Sequence, residues 1–227
     1  MKHKAYLGFA LTLGLMACTS AADKRPKLKL SANPSALVAE EIALKQSSKI
    51  KGGVIALRDV TAPDGVMFVP QPVSAPAYLK TVASLPVLEW QVHKVIMSCD
   101  GKTGVATGAW TDGAKDRGYF STVWQRYERA DGSGKWLVAM THNDVLTAAR
   151  KAPDYVETQT ASCKGSAPAN LMAPPVGVQM KKGLSRDQSL SWTWQYRPDT
   201  SRELVVAIWD GEKMVDVLTD KVAVRQQ

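Results

Sequence analysis

The chain has 227 residues, 45% hydrophobic and 22% charged, with 29 Lys and Arg against 21 Asp and Glu and a formal charge of +8. That length buries a real core in one domain of ordinary size plus a smaller annex. Beyond the leader no apolar run approaches the roughly 20 residues that span a bilayer, and the scarce, scattered histidines argue against a metal centre.

Lys2 and Lys4 form a basic n-region ahead of an apolar core, Ala5 to Ala17, of about thirteen residues. The core ends in Leu15-Met16-Ala17-Cys18, which resembles the lipobox of bacterial lipoproteins, with Met16 where a smaller residue is usual. The resemblance implies cleavage before Cys18 and acylation of that cysteine, an anchor stable because it carries more than one chain. The alternative is a secretory signal cut near Ala21-Ala22. Either leader takes the protein out of the cytoplasm. Thr19 rather than Asp follows Cys18, which in Gram-negative sorting implies the outer membrane, facing the periplasm.

Loss of Lys2 and Lys4 takes the charge from +8 to +6, and much of the excess sits in Asp23-Lys24-Arg25-Pro26-Lys27-Leu28-Lys29. This basic tether suits anionic headgroups beside the anchor, and an exported chain meets little nucleic acid. With Cys18 lipidated, Cys99 and Cys163 are left to pair in an oxidising compartment. Their loop of roughly 65 residues is worth on the order of 4 kcal/mol. The other possibility is two free buried thiols.

Asn33-Pro34 is a helix start, and Leu37, Val38, Ile42 and Leu44 follow at helical spacing, with Glu40 and Glu41 near the start. Gly52-Gly53 interrupts, and a second helix is expected over Val54 to Val60. Pro63-Asp64-Gly65 reads as a turn, Val66 to Val69 as a short strand, and Ala77 to Leu85 as a third helix after the stiff Pro70, Pro72 and Pro76.

Four strands are expected next: Val87 to Ser98, Thr103 to Thr111, Gly118 to Glu128 and Lys135 to Leu146. The turns Asp100-Gly101, Asp112-Gly113 and Asp131-Gly132-Ser133-Gly134 join them into an antiparallel meander. Ser166 to Gly177 is a Pro- and Ala-rich linker. Leu190 to Tyr196, Arg202 to Trp209 and Lys213 to Leu218 make a three-stranded annex whose face of Trp192, Trp194 and Tyr196 needs a cover. There is no internal repeat. Helices first and strands afterwards predict α+β.

This order resembles the nuclear transport factor 2-like superfamily, which includes ketosteroid isomerase and the SnoaL-like cyclases. The resemblance rests on the strand Met67-Phe68-Val69-Pro70 and on the strands Gly118 to Arg126 and Lys135 to His142, and covers about Ala32 to Ala148. Ser98-Cys99-Asp100-Gly101 and Ser162-Cys163-Lys164-Gly165 look like envelope members of the superfamily. The resemblance implies N-terminal helices on a curved antiparallel sheet, with an apolar cone-shaped pocket between them. The small C-terminal antiparallel annex is outside the pattern. Superfamily members include enzymes, ligand binders and interaction modules, so the fold leaves function open.

His142-Asn143-Asp144 closes the last strand of the domain and offers a group that titrates near neutrality. His142, Asp144 and Tyr119 are the catalytic candidates, and Trp124, His142, Trp90 and Tyr119 the candidate ligand-binding residues. His93 is expected to face away from Trp90 and Val92. Ketosteroid isomerase needs a carboxylate base in an apolar site, and no matching carboxylate is evident; Glu89 is only a strand residue beside Trp90. Ser48-Lys49-Ile50-Lys51 and Lys102-Thr103-Gly104 imitate a penicillin-binding motif pair. They lie too close together, with no S-D-N between them. Gly132-Ser133-Gly134-Lys135 lacks the helix of a phosphate-binding loop. No metal or cofactor is expected.

The expected organisation is a signal peptide (1–17), a lipid-anchored basic tether (18–30), a nuclear transport factor 2-like domain (31–150), a disulfide-tied segment and linker (151–177) and the annex (178–227). The expected function is a non-catalytic envelope lipoprotein that binds a small apolar ligand or a protein partner, without nucleic acid. The alternatives are a SnoaL- or isomerase-like acid/base catalyst and a dimerising scaffold that forms a homodimer.

Overall fold

The structure is a computed structural model and describes residues 32–114, 116–128, 133–165, 167 and 175–224. The leader, Cys18, the basic tether, the Asp131-Gly132 half of one turn and most of the linker lie outside the described residues. Three helices and two sheets are built from the rest.

Helix α1 (Pro34–Lys51) opens after Asn33 with Pro in its first turn. It buries Leu37, Glu41 and Leu44, one stripe at i, i+4 and i+7. Gly52, at φ 85°, ends it, and α2 (Gly53–Val60) follows, burying Val54 and Ala56. Strand β1 (Thr61–Phe68) comes next, then β2 (Pro72–Ser74) and α3 (Ala75–Thr81). The turn expected at Pro63-Asp64-Gly65 lies inside β1. The register slips there between Thr61 and Val66, because Pro63 has no N–H to give to a ladder. The third helix sits over 75–81 rather than 77–85, because Pro76 falls in its first turn.

Strands β3 (Glu89–Met97), β4 (Thr103–Thr111), β5 (Arg117–Glu128) and β6 (Gly134–Val145) form the antiparallel meander. Gly101 at φ 65° and Gly113 at φ 79° supply left-handed turn positions. The full sheet is seven-stranded, in the order β2-β1-β6-β5-β4-β3-β7. It is mixed rather than purely antiparallel, since β1 runs parallel to β6 and the short β7 (Glu157–Thr160) parallel to β3.

The annex has four strands, not three. Strand β8 (Gln179–Leu184) precedes β9 (Leu190–Tyr196), β10 (Arg202–Trp209) and β11 (Met214–Val222), in the order β11-β10-β9-β8. Gly183 gives β8 room to lie against Trp192, whose ring carbons occupy the space a Cβ would need. The aromatic face finds its cover in the large sheet. Leu190, Trp192, Trp194, Leu204, Val206 and Ile208 share one core with Phe68, Ile96, Val105, Val123 and Met140. The opposite face of the large sheet packs Val92, Val95, Met97, Ala106, Trp124, Trp136 and Val138 on Leu37, Leu44 and Ala56 of the helices. The order of layers is therefore helices, large sheet, small sheet. Cys99, at the end of β3, and Cys163, just after β7, form a disulfide with Cα atoms 5.2 Å apart.

Candidate functional site

Strand parity sends neighbouring side chains of β5 to opposite faces. Tyr119, Ser121 and Val123 turn toward the small sheet, while Thr122 and Trp124 turn toward the helices. A register shift between Val123 and Trp124 carries the pairing from Met140 to Val138 and resets β6. His142 consequently joins Tyr119 under the small sheet. The candidate residues thus separate into two groups: His142 and Tyr119, with Asp144 the direct ladder partner of Tyr119, on one side of the sheet, and Trp90 and Trp124 on the other.

On the helix side the central residue is Glu41. It is 2% exposed. Its Oε1 accepts the indole N–H of Trp124 at 2.8 Å and its Oε2 that of Trp90 at 2.9 Å, and Thr122 also bonds it. Burial pushes the carboxyl up to about 7, against the opposing pull of those hydrogen bonds. Glu41 escaped the sequence reading because a glutamate near a helix start is ordinary. The signal was its place between Leu37 and Leu44 on the apolar stripe. Space here is tight: a Cβ added at Gly104 would come within 2.6 Å of Leu37 Cδ1 and 2.5 Å of Met97 Sδ. At that point the expected cone is filled by side chains.

Under the small sheet, His142 Nδ1 lies 3.3 Å from the Tyr119 hydroxyl, and the Phe68 ring packs edge-on at 5.3 Å. Burial, reinforced by the guanidinium charges of Arg202 and Arg150, brings His142 down to about 3, so it stays neutral near pH 7. Burial and the Asp220 and Asp144 carboxylates hold the Tyr119 hydroxyl far above its usual range. Arg150 stacks over the Tyr119 ring at 4.3 Å and pairs with Asp220 at 2.6 Å. Asp220 also accepts from Ser121 Oγ at 2.6 Å. Arg202 of β10 donates to the Asn143 carbonyl of β6. This polar network joins the two sheets.

A third feature is open. At the β3 end of the large sheet, β7 pairs only with Lys94 to Met97, so Glu89 to His93 stand beyond its reach. A groove of about 640 Å³ runs there, lined among others by Lys45, Trp90, His93, Trp110, Arg117 and Arg150. The size falls in the ordinary range for ligand sites. His93 occupies a register shift of β3, between Val92 and Lys94, and lines this groove. Trp90 and Trp110 are direct cross-strand partners. Both turn their N–H inward, Trp90 to Glu41 and Trp110 to the Tyr119 carbonyl at 3.0 Å. The Trp110 ring lies over Gly118, where a Cβ would meet it at 2.4 Å. Trp110 is not among the sequence candidates; the glycine at 118, its partner across the Asp112-Gly113 turn, was the available sign. Of the four candidate ligand-binding residues, only Trp90 borders the groove.

No protein-family model matches the chain, and no curated protein matches it. Among solved structures the chain is similar to the crystal structure of the S. rosetta CaMKII hub, at 16% identity and a TM-score of 0.37, covering 52% of this chain and 100% of that one. It is also similar to a protein of unknown function with cystatin-like fold from Methylobium petroleophilum PM1, at 8% identity and a TM-score of 0.36, covering 56% of this chain and 87% of that one. Likenesses this distant say nothing of what this chain binds.

Proposed function

We propose that the chain is a non-catalytic binding protein of the bacterial envelope, lipid-anchored through Cys18, on a nuclear transport factor 2-like arrangement, with its ligand in the groove beside Trp90 and Trp110. The observation that carries this reading is the contrast between closed and open polar groups. Glu41 has its oxygens committed to the indoles of Trp90 and Trp124, and His142 is fully buried and neutral. The groove combines ring surface, charge and access, and is larger than two other pockets, beside Trp192 and beside Tyr127. The leader and the basic tether support the address.

The test is native mass spectrometry of the exported full chain with Cys18→Ala, beside the same chain carrying Ala149→Glu at an exposed groove position. A stoichiometric adduct lost in the second form is expected. An adduct retained in it overturns the groove as the site. The anchor is tested separately, by metabolic labelling with a fatty acid: label in the wild type and none in Cys18→Ala is expected.

One observation favours a second reading. Glu41, poised near neutrality behind Trp90, is the kind of carboxylate an isomerase-like acid/base catalyst requires. Turnover of a β,γ-unsaturated ketone, abolished by Glu41→Gln while the fold persists, would establish it over the binding reading.

A further inference from the structure

A separate cleft of about 210 Å³ lies between the two sheets and shares no lining residue with the groove. Val66, Ala139 and Met140 of the large sheet form one side of it. Trp192 and Trp194, two residues apart on one face of β9, form the other. Both rings are held in place. The ring carbons of Trp192 fill the space that a Cβ on Gly183 of β8 would need, and Phe68 packs edge-on to Trp194 at 5.5 Å. Ring surfaces fixed in this way are suited to receive another flat ring.

The cleft also carries hydrogen-bond donors with no acceptor. Trp192 and Trp194 are each only 7% exposed. Trp90, Trp110, Trp124 and Trp209 all donate their indole N–H within the chain. Those of Trp192 and Trp194 meet no acceptor among the described residues, and neither nitrogen is sealed from solvent. Both therefore open on the cleft that their rings line. The carboxamide of Gln125, half-buried at the same cleft, makes no hydrogen bond among the described residues either. An indole can only donate, so a purely apolar guest would desolvate these groups without pairing them. A carbonyl oxygen, with two lone pairs and no donor of its own, pairs them. Volume sets the size, since a cavity of about 150 Å³ takes one benzene ring and sites for larger organic ligands begin near about 300 Å³. Charge is balanced at the cleft, where Lys181 of β8 and Asp64 of β1 stand 3.7 Å apart with more than half of each side chain exposed. So exposed a pair opens easily and adds no net charge that would favour an ion. We infer that this cleft is a second binding site, for a neutral single-ring aromatic molecule bearing a carbonyl group. The ring lies among Trp192, Trp194 and Met140, and the carbonyl oxygen accepts from the indole N–H groups. The site is independent of the groove and of what the groove binds.

The experiment uses the full chain exported with Cys18→Ala and two probes of one shape: acetophenone, and α-methylstyrene, in which a C=CH2 group replaces the C=O. Indole N–H signals, assigned by NMR in uniformly labelled protein, give location and, on titration, affinity. Acetophenone is expected to shift the signals of Trp192 and Trp194 and to leave those of Trp90 and Trp110 in place. α-Methylstyrene is expected to bind about tenfold more weakly, which corresponds to the loss of one hydrogen bond. Ala139→Leu, at a half-buried position lining the cleft, fills it and should abolish the shifts. The comparison of probes needs no such variant, so it decides the matter even where Ala139→Leu does not fold. Equal affinity for the two probes overturns the carbonyl part of the inference. Shifts confined to Trp90 and Trp110, shifts that persist in folded Ala139→Leu, or no shift with either probe overturn the cleft as a site.

Discussion

Glu41 and Trp124 meet through a 2.8 Å hydrogen bond in which the indole N–H of β5 donates to a carboxylate of α1. With Trp90 bonded to the other oxygen, one side chain braces the helix against strands that are not neighbours in the sheet. Removing it leaves the buried Trp124 indole donor and the half-buried Trp90 donor unanswered, at about 1–3 kcal/mol for a buried donor. Glu41→Ala is therefore expected to cost about 3–5 kcal/mol in urea unfolding. A loss below about 1 kcal/mol would mean that water replaces the carboxylate.

The same residue makes stability depend on pH. Its folded value of about 7 lies above the ordinary 4.5, so the folded chain holds the proton more tightly. That contribution is full below pH 4.5 and lost as pH rises through 7. The stability of the wild type relative to Glu41→Gln should therefore fall by about 3 kcal/mol from pH 4.5 to pH 8. A flat difference across that range would show that the carboxyl does not titrate high.

His142 acts in the opposite direction. Its folded value of about 3 lies below 6.5, so the unfolded chain takes the proton first. Stability is retained above pH 6.5 and lost as pH falls toward 3. Between pH 7.5 and 4.5 the wild type should lose about 2–3 kcal/mol relative to His142→Gln. The imidazole C–H proton shifts, followed by NMR, should show no protonation down to pH 5; a midpoint near 6.5 would contradict the buried, neutral state.

Gly118→Ala places a methyl within 2.4 Å of the Trp110 ring and 2.1 Å of the Asp144 carbonyl. The ring and the β5–β6 ladder must both give way, at about 1–3 kcal/mol. Trp110 should move out of register with Trp90, seen as an altered near-ultraviolet dichroism. Gly113→Ala, where the added methyl meets nothing within 4 Å, serves as the control for backbone strain alone.

The disulfide between Cys99 and Cys163 fastens the β3–β4 turn to the chain that leads into the small sheet. Close beside it Ser162 donates its N–H to the Trp209 carbonyl at 2.7 Å, and Trp209 Nε1 donates to the Lys164 carbonyl at 2.6 Å. Replacing both cysteines by alanine is expected to lower stability by about 2–4 kcal/mol. An unchanged thermal midpoint would show that these hydrogen bonds hold the segment by themselves.

The meander was legible because Asp100-Gly101 and Asp112-Gly113 punctuate runs of strand-forming residues, and the glycines take the left-handed turns those dipeptides foretell. Helix α2 was legible between Gly52-Gly53 and the bulged start of β1. Strand β7 was not, because Glu157 to Thr160 carries no alternation and is ordered only by pairing with β3. The site was harder to read for a related reason. Which face Tyr119 or Trp124 occupies depends on strand pairing, and the face His142 takes depends on a register shift near Val123 that local pattern does not announce. Glu41 looked like helix-start charge until α1 was laid on Trp90 and Trp124.

Covering one face of the large sheet with the chain's own β8 to β11 also limits how two copies can meet. Phe68, Ile96, Val105, Val123 and Met140 are already spent on an intramolecular partner. A second molecule could reach that surface only by peeling away Leu190, Trp192, Trp194 and their neighbours, which would mean breaking the core. Two copies would have to meet through strand edges instead of through this sheet face. The candidates are the outermost strands: β2 and β7 of the large sheet, β8 and β11 of the small one.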